Sequence, residues 1–161
     1  NIATVGLEAL HALADRMRAL GLHAQLWMPC SDFVAAAPEL LRLRLPLVLD
    51  HMARCDASAG LENAAFQTLL KLLRDEDMWI KLVPHRASSH FPDYDELKPF
   101  HRAMVTARPD RALWGTDWPY VRMGDATPDA GHLLDLFDAW TPEEYRRSIL
   151  VDNPAALYGF A

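Results

Sequence analysis

The chain has 161 residues, of which 51% are hydrophobic and 24% charged, and its formal net charge is −6 at pH 7. This size and balance are typical of a globular protein, and residues 1–161 are predicted to form a single domain. The acidic charge and the lack of a basic run argue against a nucleic-acid partner. No apolar stretch reaches the roughly 18 residues that a membrane span requires.

Two cysteines, Cys30 and Cys55, fit a reducing compartment better than a disulfide framework. The N-terminus also lacks the basic and apolar pattern of a secretion signal. These features predict a cytoplasmic protein. The sequence begins at Asn1 and enters a helical pattern almost at once, so we expect it to be a piece of a longer polypeptide.

Four short apolar segments are predicted to be β-strands. They comprise residues 23–28, 45–50, 78–83 and 112–115. The segments between them carry apolar residues at helical spacing, and each strand–helix unit takes roughly 20 to 35 residues. This alternation predicts βαβ units and a parallel sheet, followed by a helical tail.

Several helix starts carry recognisable signals. Ser31 and Asp32 are expected to cap the second helix, which Pro38 interrupts. Thr141 is expected to cap a helix of the tail, with Pro142 in its first turn.

Two architectures have this alternation of strands and helices: an open doubly wound sheet and part of a (β/α)8 barrel. A dinucleotide-binding sheet would carry a Gly-rich turn between strand and helix, and the sequence has none. Polar residues instead follow strand after strand, which favours the barrel, where catalytic groups lie at the carboxyl ends of the strands. A complete barrel takes about 250 residues, so this α/β chain would supply about half of one.

The segment LWGTDWPY places one carboxylate, Asp117, directly after the last predicted strand. Burial beside Trp114 and Trp118 would raise its pKa, whereas a nearby metal or imidazolium would lower it. In either case Asp117 could act as a general base toward water. The alternative is a structural role in which Asp117 forms an Asx-turn that holds Trp118 in place.

A histidine and two arginines follow the other strands. His51 could ligate a metal, polarise a carbonyl or shuttle a proton, although a histidine here could also be a core residue. Its position on the same rim as Asp117 favours a functional role. Arg54 and Arg86 could bind carboxylates through their guanidinium forks, which would indicate an anionic substrate, or they could form surface ion pairs.

Other polar residues are assigned lesser roles. Lys81 could face either the barrel interior or the helical layer, and a cysteine nucleophile paired with His51 is a minor alternative. His85 and His90 lie in a long loop, where they could ligate a metal or contact substrate, although exposure is expected. The remaining histidines, which are expected to be structural or exposed, are His11, His23, His101 and His132.

The segments LVLDHMAR, WIKLVPHRAS, LWGTDWPY and LVDNPAALYGF together resemble the amidohydrolase superfamily, and most closely its lactonase-type branch. The resemblance covers nearly the whole chain. It implies the C-terminal part of a distorted (β/α)8 barrel whose first three strands would lie before Asn1. His51 would follow the fifth strand, and Asp117 would follow the last strand and take a proton from the attacking water.

The same resemblance implies the substrate contacts and the cofactor. Arg54 and Arg86 would hold substrate carboxylates, and Trp27 would line the pocket where relatives have a tyrosine. Many members bind Zn²⁺ or a similar divalent metal, although the closest lactonases also work without one. His51 and Asp117 would be its ligands here, with the other ligands outside this sequence because it contains no His-x-His pair.

The chain is therefore predicted to be an amidohydrolase-type hydrolase that opens a carboxylated lactone, such as a pyrone dicarboxylate. Its partner would be a small carboxylated substrate, with no nucleic acid and no membrane, and assembly into a homo-oligomer is left open. One alternative is a metal-dependent decarboxylase of the same superfamily. Another is a non-catalytic half-barrel that buries its open edges against a partner.

Overall fold

The computed structural model describes residues 6–160, so Asn1 lies outside the described part of the chain. Four strands alternate with helices, as the sequence predicts. The strands are β1 (Ala24–Leu26), β2 (Leu47–Leu49), β3 (Met78–Lys81) and β4 (Ala112–Leu113). The helices are α1 (Leu7–Ala19), α2 (Cys30–Leu40), α3 (Ala64–Asp75), α4 (Lys98–Ala107), α5 (Ala130–Trp140), α6 (Glu143–Arg147) and α7 (Asn153–Tyr158). Within the described residues, none of the helices has the length and apolarity needed to cross a bilayer.

The four strands form one parallel sheet in the order β1-β2-β3-β4. Leu47 of β2 pairs with both Ala24 and Met78, and Ile80 of β3 pairs with Ala112. A doubly wound sheet reverses its strand order at a switch point, whereas a barrel adds each strand beside the one before it. The observed order is that of a barrel.

The two faces of the sheet are buried in different ways. Outward-facing residues such as Leu47 and Ile80 join the large core against the helices. The opposite face carries Val48, Trp79 and Leu113, which form a smaller buried cluster against α7. The strands are therefore apolar on both faces, which explains their nearly continuous apolar sequence.

Lys81 extends from the same face as Trp79, because side chains two residues apart in a strand share a face. Its Nζ donates a hydrogen bond to Gln25 Oε1 at 2.7 Å and lies 3.2 Å from Asp50 Oδ1. Gln25 Nε2 in turn donates to Asp50 Oδ2 at 2.5 Å. Of the two orientations open for Lys81, the structure shows the barrel interior.

The predicted caps of two helices are wrong. Pro29 occupies the N-cap of α2, and no side chain caps this helix; Ser31 instead hydrogen-bonds Asp32 at 3.2 Å. Pro38 does not interrupt α2, which continues to Leu40; it lies in the last turn, where its missing N–H costs a single hydrogen bond near the helix end. Thr141 lies one residue before the N-cap of α6, and its hydroxyl pairs with His101.

Candidate active site

His51 is presented by an unusual turn directly after β2. Four consecutive residues, 51–54, have positive φ angles of 48°, 53°, 52° and 43°. L-residues disfavour this left-handed region, so the surrounding structure must hold the turn in place. Met52 and Ala53 are completely buried, and Ala53 N donates to Asp50 O at 2.9 Å. This packing holds the buried imidazole of His51 at the carboxyl end of the sheet.

Asp117 follows β4 and also has a positive φ, of 65°. Aspartate is one of the few residues that tolerate this conformation. The turn to Trp118 is closed by Thr116, whose Oγ1 accepts a hydrogen bond from Trp118 N at 3.1 Å. The alternative that Asp117 forms an Asx-turn to hold Trp118 is therefore wrong, because its carboxylate bonds elsewhere.

The two carboxylate oxygens of Asp117 have different neighbours. Oδ2 accepts a hydrogen bond from Arg86 Nε at 2.6 Å and lies 3.0 Å from His85 Nε2. Oδ1 faces His51 Nε2 across a gap of 3.9 Å, which is too long for a direct hydrogen bond. One oxygen is therefore held in place while the other faces an imidazole across a short gap.

The protonation states follow from burial and charge. Burial raises the pKa of Asp117, but hydrogen bonds from Arg86 and His85, together with the positive charges of Arg86 and of His51 when it is protonated, outweigh burial, so the pKa is lowered. Burial lowers the pKa of both His51 and His85, against the opposing effect of Asp117. The site therefore favours an ionised carboxylate between two neutral imidazoles.

The expectation that His85 is an exposed loop histidine is wrong. Its side chain is buried and packs edge-on against the rings of His51, at 5.9 Å, and Tyr120, at 5.6 Å. His85 comes only four residues after Lys81, too soon for the chain to leave the strand ends, which is the signal in the sequence that could have placed it. His90, further along the loop, is exposed as predicted and pairs with Glu96.

The other predicted site residues divide into two groups. Trp27, His51, Arg86 and Asp117 line one cavity of about 390 Å³ at the carboxyl end of the sheet. Arg54 lies outside this lining; its exposed guanidinium stacks over the Trp27 ring, 5.1 Å from the ring centre. Arg54 instead borders a neighbouring cavity with the two cysteines.

The cysteines do not supply a nucleophile. Both are buried, and burial raises the pKa of Cys30 to about 11 and that of Cys55 to about 12. Since the thiolate is the reactive form, these thiols are inert at neutral pH. The alternative of a cysteine nucleophile paired with His51 is therefore wrong.

Three side chains could hold a divalent metal. One ligand atom each from His51, His85 and Asp117 lies within 4.8 Å of the others. Two imidazoles and a carboxylate form a donor set that Zn²⁺ accepts, and the lowered pKa values of the histidines favour neutral rings, each of which has one unprotonated nitrogen that can bind a metal. The residues therefore fit a metal, and His85 adds a third candidate ligand to the two predicted from the sequence.

This fold and site define the class of protein. The Amidohydrolase family pattern matches residues 5–160, and the chain belongs to that family. It is 40% identical over 127 residues to a 4-sulfomuconolactone hydrolase of Hydrogenophaga intermedia, covering 76% of this chain and 42% of that protein. It is 34% identical over 162 residues to a 2-pyrone-4,6-dicarboxylate hydrolase of Comamonas testosteroni, covering 94% of this chain and 53% of that protein.

A crystal structure from Agrobacterium tumefaciens superposes with a TM-score of 0.83 at 26% identity, covering 98% of this chain and 57% of that one. The predicted barrel fold is thereby confirmed, and the chain spans about half the length of these relatives. The strand numbers that the resemblance implied for His51 and Asp117 do not fit this topology. Among residues 6–160 only β3 separates β2 from β4, so if β4 corresponds to the last strand of an eight-stranded barrel, His51 follows the sixth strand and not the fifth.

Proposed function

We propose that the protein is a hydrolase that opens lactones carrying anionic groups, with Asp117 as the base for the attacking water. The observation that carries this proposal is the asymmetry of the Asp117 carboxylate, with Oδ2 held by Arg86 and Oδ1 facing His51 across 3.9 Å. A fixed carboxylate beside a neutral imidazole is a suitable arrangement for activating water near an ester carbonyl. The two named relatives, which act on a sulfomuconolactone and a pyrone dicarboxylate, support the substrate class.

The reaction can be followed through the residues of this chain. Asp117 Oδ1 accepts a proton from water as the water oxygen bonds to the lactone carbonyl carbon. His51 lies on the other side of the gap, where an Nε2–H would donate a hydrogen bond to the developing oxyanion. The ring C–O bond then breaks, and the proton held by Asp117 passes to the departing oxygen. The products are a hydroxy acid, or its keto form, and a regenerated carboxylate.

Asp117 is well suited to remain ionised but is a weak base on its own. Its lowered pKa means that protonation does not remove the base anywhere in the neutral range. The same lowering reduces its driving force for taking a proton from water. A divalent metal held by His51, His85 and Asp117 would take the place of the Nε2–H of His51 in polarising the carbonyl, and it would also make water more acidic.

Replacing Asp117 with asparagine in the natural polypeptide tests the proposal. Asparagine also tolerates a positive φ, so Asp117→Asn removes the base with little disturbance of the backbone. Turnover of 2-pyrone-4,6-dicarboxylate and 4-sulfomuconolactone should fall about a hundredfold or more. Asp125→Asn, at an exposed carboxylate outside the site, is the control and should leave turnover unchanged.

Product analysis completes the test. Ring opening consumes one water and releases no gas, whereas the alternative decarboxylase would release carbon dioxide. Normal turnover by Asp117→Asn, or carbon dioxide in proportion to substrate consumed, would contradict the proposal.

A further inference from the structure

We infer that Arg122 is a specificity-determining residue that binds an anionic group of the substrate remote from the reacting carbonyl. This inference rests on the proposed function and adds a residue to it. Arg122 lines the same cavity of about 390 Å³ as His51 and Asp117. It lies on the segment that runs on from Asp117, which we call the rim loop and define as residues 117–123.

The rim loop is held in a fixed shape. Tyr120 N donates to Asp117 O at 3.0 Å, and Met123 N donates to Tyr120 O at 3.1 Å. The ring of Tyr120 is buried against His85, so the middle of the loop is anchored in the site. Arg122 has a positive φ of 64°, which directs the chain so that this exposed residue borders the cavity.

The charges of the cavity explain why Arg122 matters. Arg86 already binds the proposed base, because its Nε donates a hydrogen bond to the carboxylate of Asp117. Its Nη2 donates a second hydrogen bond to Val121 O at 3.1 Å. The cavity is lined by two arginines, and Arg86 is paired with Asp117. The other, Arg122, makes no ion pair and no side-chain hydrogen bond among residues 6–160, and the acid Asp50 is already paired with Lys81.

The remaining candidate for this role is Arg54, but it is poorly placed. Its guanidinium stacks over the Trp27 ring, and Arg54 does not line the cavity. Arg122 and Arg86 enter the cavity together from the segments that follow β4 and β3. An anion between them would be recognised by Arg122 while Arg86 keeps Asp117 in position. The ligand chemistry is a carboxylate or sulfonate carried on a small ring.

The experiment uses the natural polypeptide and three substitutions. Arg122→Asn removes the charge and suits the positive φ, and Arg122→Lys retains the charge. Arg44→Asn is the matched control, since Arg44 is also exposed, has a φ of 51° and precedes β2 at the opposite end of the sheet. Binding is measured with two inert ring anions, benzene-1,3-dicarboxylate and benzene-1,3-disulfonate, of which the first carries only carboxylates and the second only sulfonates.

Arg122→Asn should weaken binding of at least one of these anions about tenfold, the usual effect of losing a hydrogen bond to a charged group. Arg122→Lys should recover most of that loss, and Arg44→Asn should bind like the unaltered protein. In turnover, Arg122→Asn should raise KM for 2-pyrone-4,6-dicarboxylate with little change in kcat, because the contact is remote from the reacting atoms. The ratio of kcat/KM for this dianion to kcat/KM for its dimethyl ester should fall about tenfold in Arg122→Asn.

The outcomes separate this inference from the proposed function. Anion binding that depends on Arg122 without any lactone opening would refute the proposed function and leave the binding role intact. Lactone opening in which Arg122→Asn and Arg44→Asn behave alike would refute the role of Arg122. Failure of the unaltered protein to bind either anion would also refute it.

Discussion

His101 makes the folded protein sensitive to acid, although it lies outside the site. It belongs to α4 and is almost fully buried, with only 1% of its surface exposed. Its Nε2 lies 2.7 Å from Thr141 Oγ1, and its ring packs edge-on against Phe137 and Trp140. Burial, with a smaller contribution from the charge of Arg102, lowers its pKa from 6.5 to about 3. The folded protein therefore holds this histidine neutral.

The sign and size of the effect follow from this shift. Below pH 6.5 the unfolded chain takes up a proton that the folded chain does not, so stability is fully present above pH 6.5 and falls as the pH approaches 3. Each pH unit below 6.5 costs about 1.4 kcal/mol until the folded histidine also titrates. Lowering the pH from 7.5 to 5.0 should therefore reduce the free energy of unfolding by about 2 kcal/mol through His101 alone.

Urea unfolding at pH 7.5 and pH 5.0 measures this effect. His101→Gln keeps a hydrogen-bonding side chain beside Thr141 but has no titrating group, so it should lose about 2 kcal/mol less than the unaltered protein between the two pH values. Other titrating groups contribute to both proteins and cancel in the difference. His90→Gln, at an exposed loop histidine, should retain the full dependence. An equal loss in His101→Gln and the unaltered protein would refute the reasoning.

Two further predictions concern the tail and the metal. Asn153 Nδ2 donates to Pro109 O at 2.8 Å and to Ala112 O at 2.7 Å, so Asn153→Ala should lower the free energy of unfolding by about 2 kcal/mol. Asn153→Asp should cost more, because a carboxylate would face the same two carbonyls; equal costs in urea unfolding would contradict this account. His85→Ala should weaken Zn²⁺ binding at least about tenfold in competition with a chromophoric chelator, and His90→Ala should not. Equal affinities would show that His85 is not a ligand.

The strands and the barrel-like order could be predicted because their signals are local and repeated. Each strand is short and apolar on both faces, and each is followed by a helix with its own apolar face. The positions of His51 and Asp117 could be predicted for the same reason, since each comes directly after a strand. Strand ends of a parallel sheet meet at one edge, so adjacency in space follows from the topology.

The contacts within the site could not be predicted from the same signals. His85 belongs to a loop rich in polar residues, and only its closeness to the end of β3 distinguishes it from the exposed His90. The position of the Arg54 side chain depends on the left-handed turn at 51–54, which directs the guanidinium onto Trp27. Non-glycine residues give no sequence signal for such a turn, because packing of Met52 and Ala53 enforces it.

Arg86 connects the two halves of the proposed mechanism. Its Nε fixes the oxygen of Asp117 that does not face His51, and its Nη2 holds the rim loop at Val121 O. The base and the proposed anion-binding residue, Arg122, thus depend on one guanidinium whose planar fork presents several donors at fixed angles. A lysine has one compact charged group and could not reproduce this geometry. The arginine that the sequence assigns to the substrate therefore also organises the residues that would act on it.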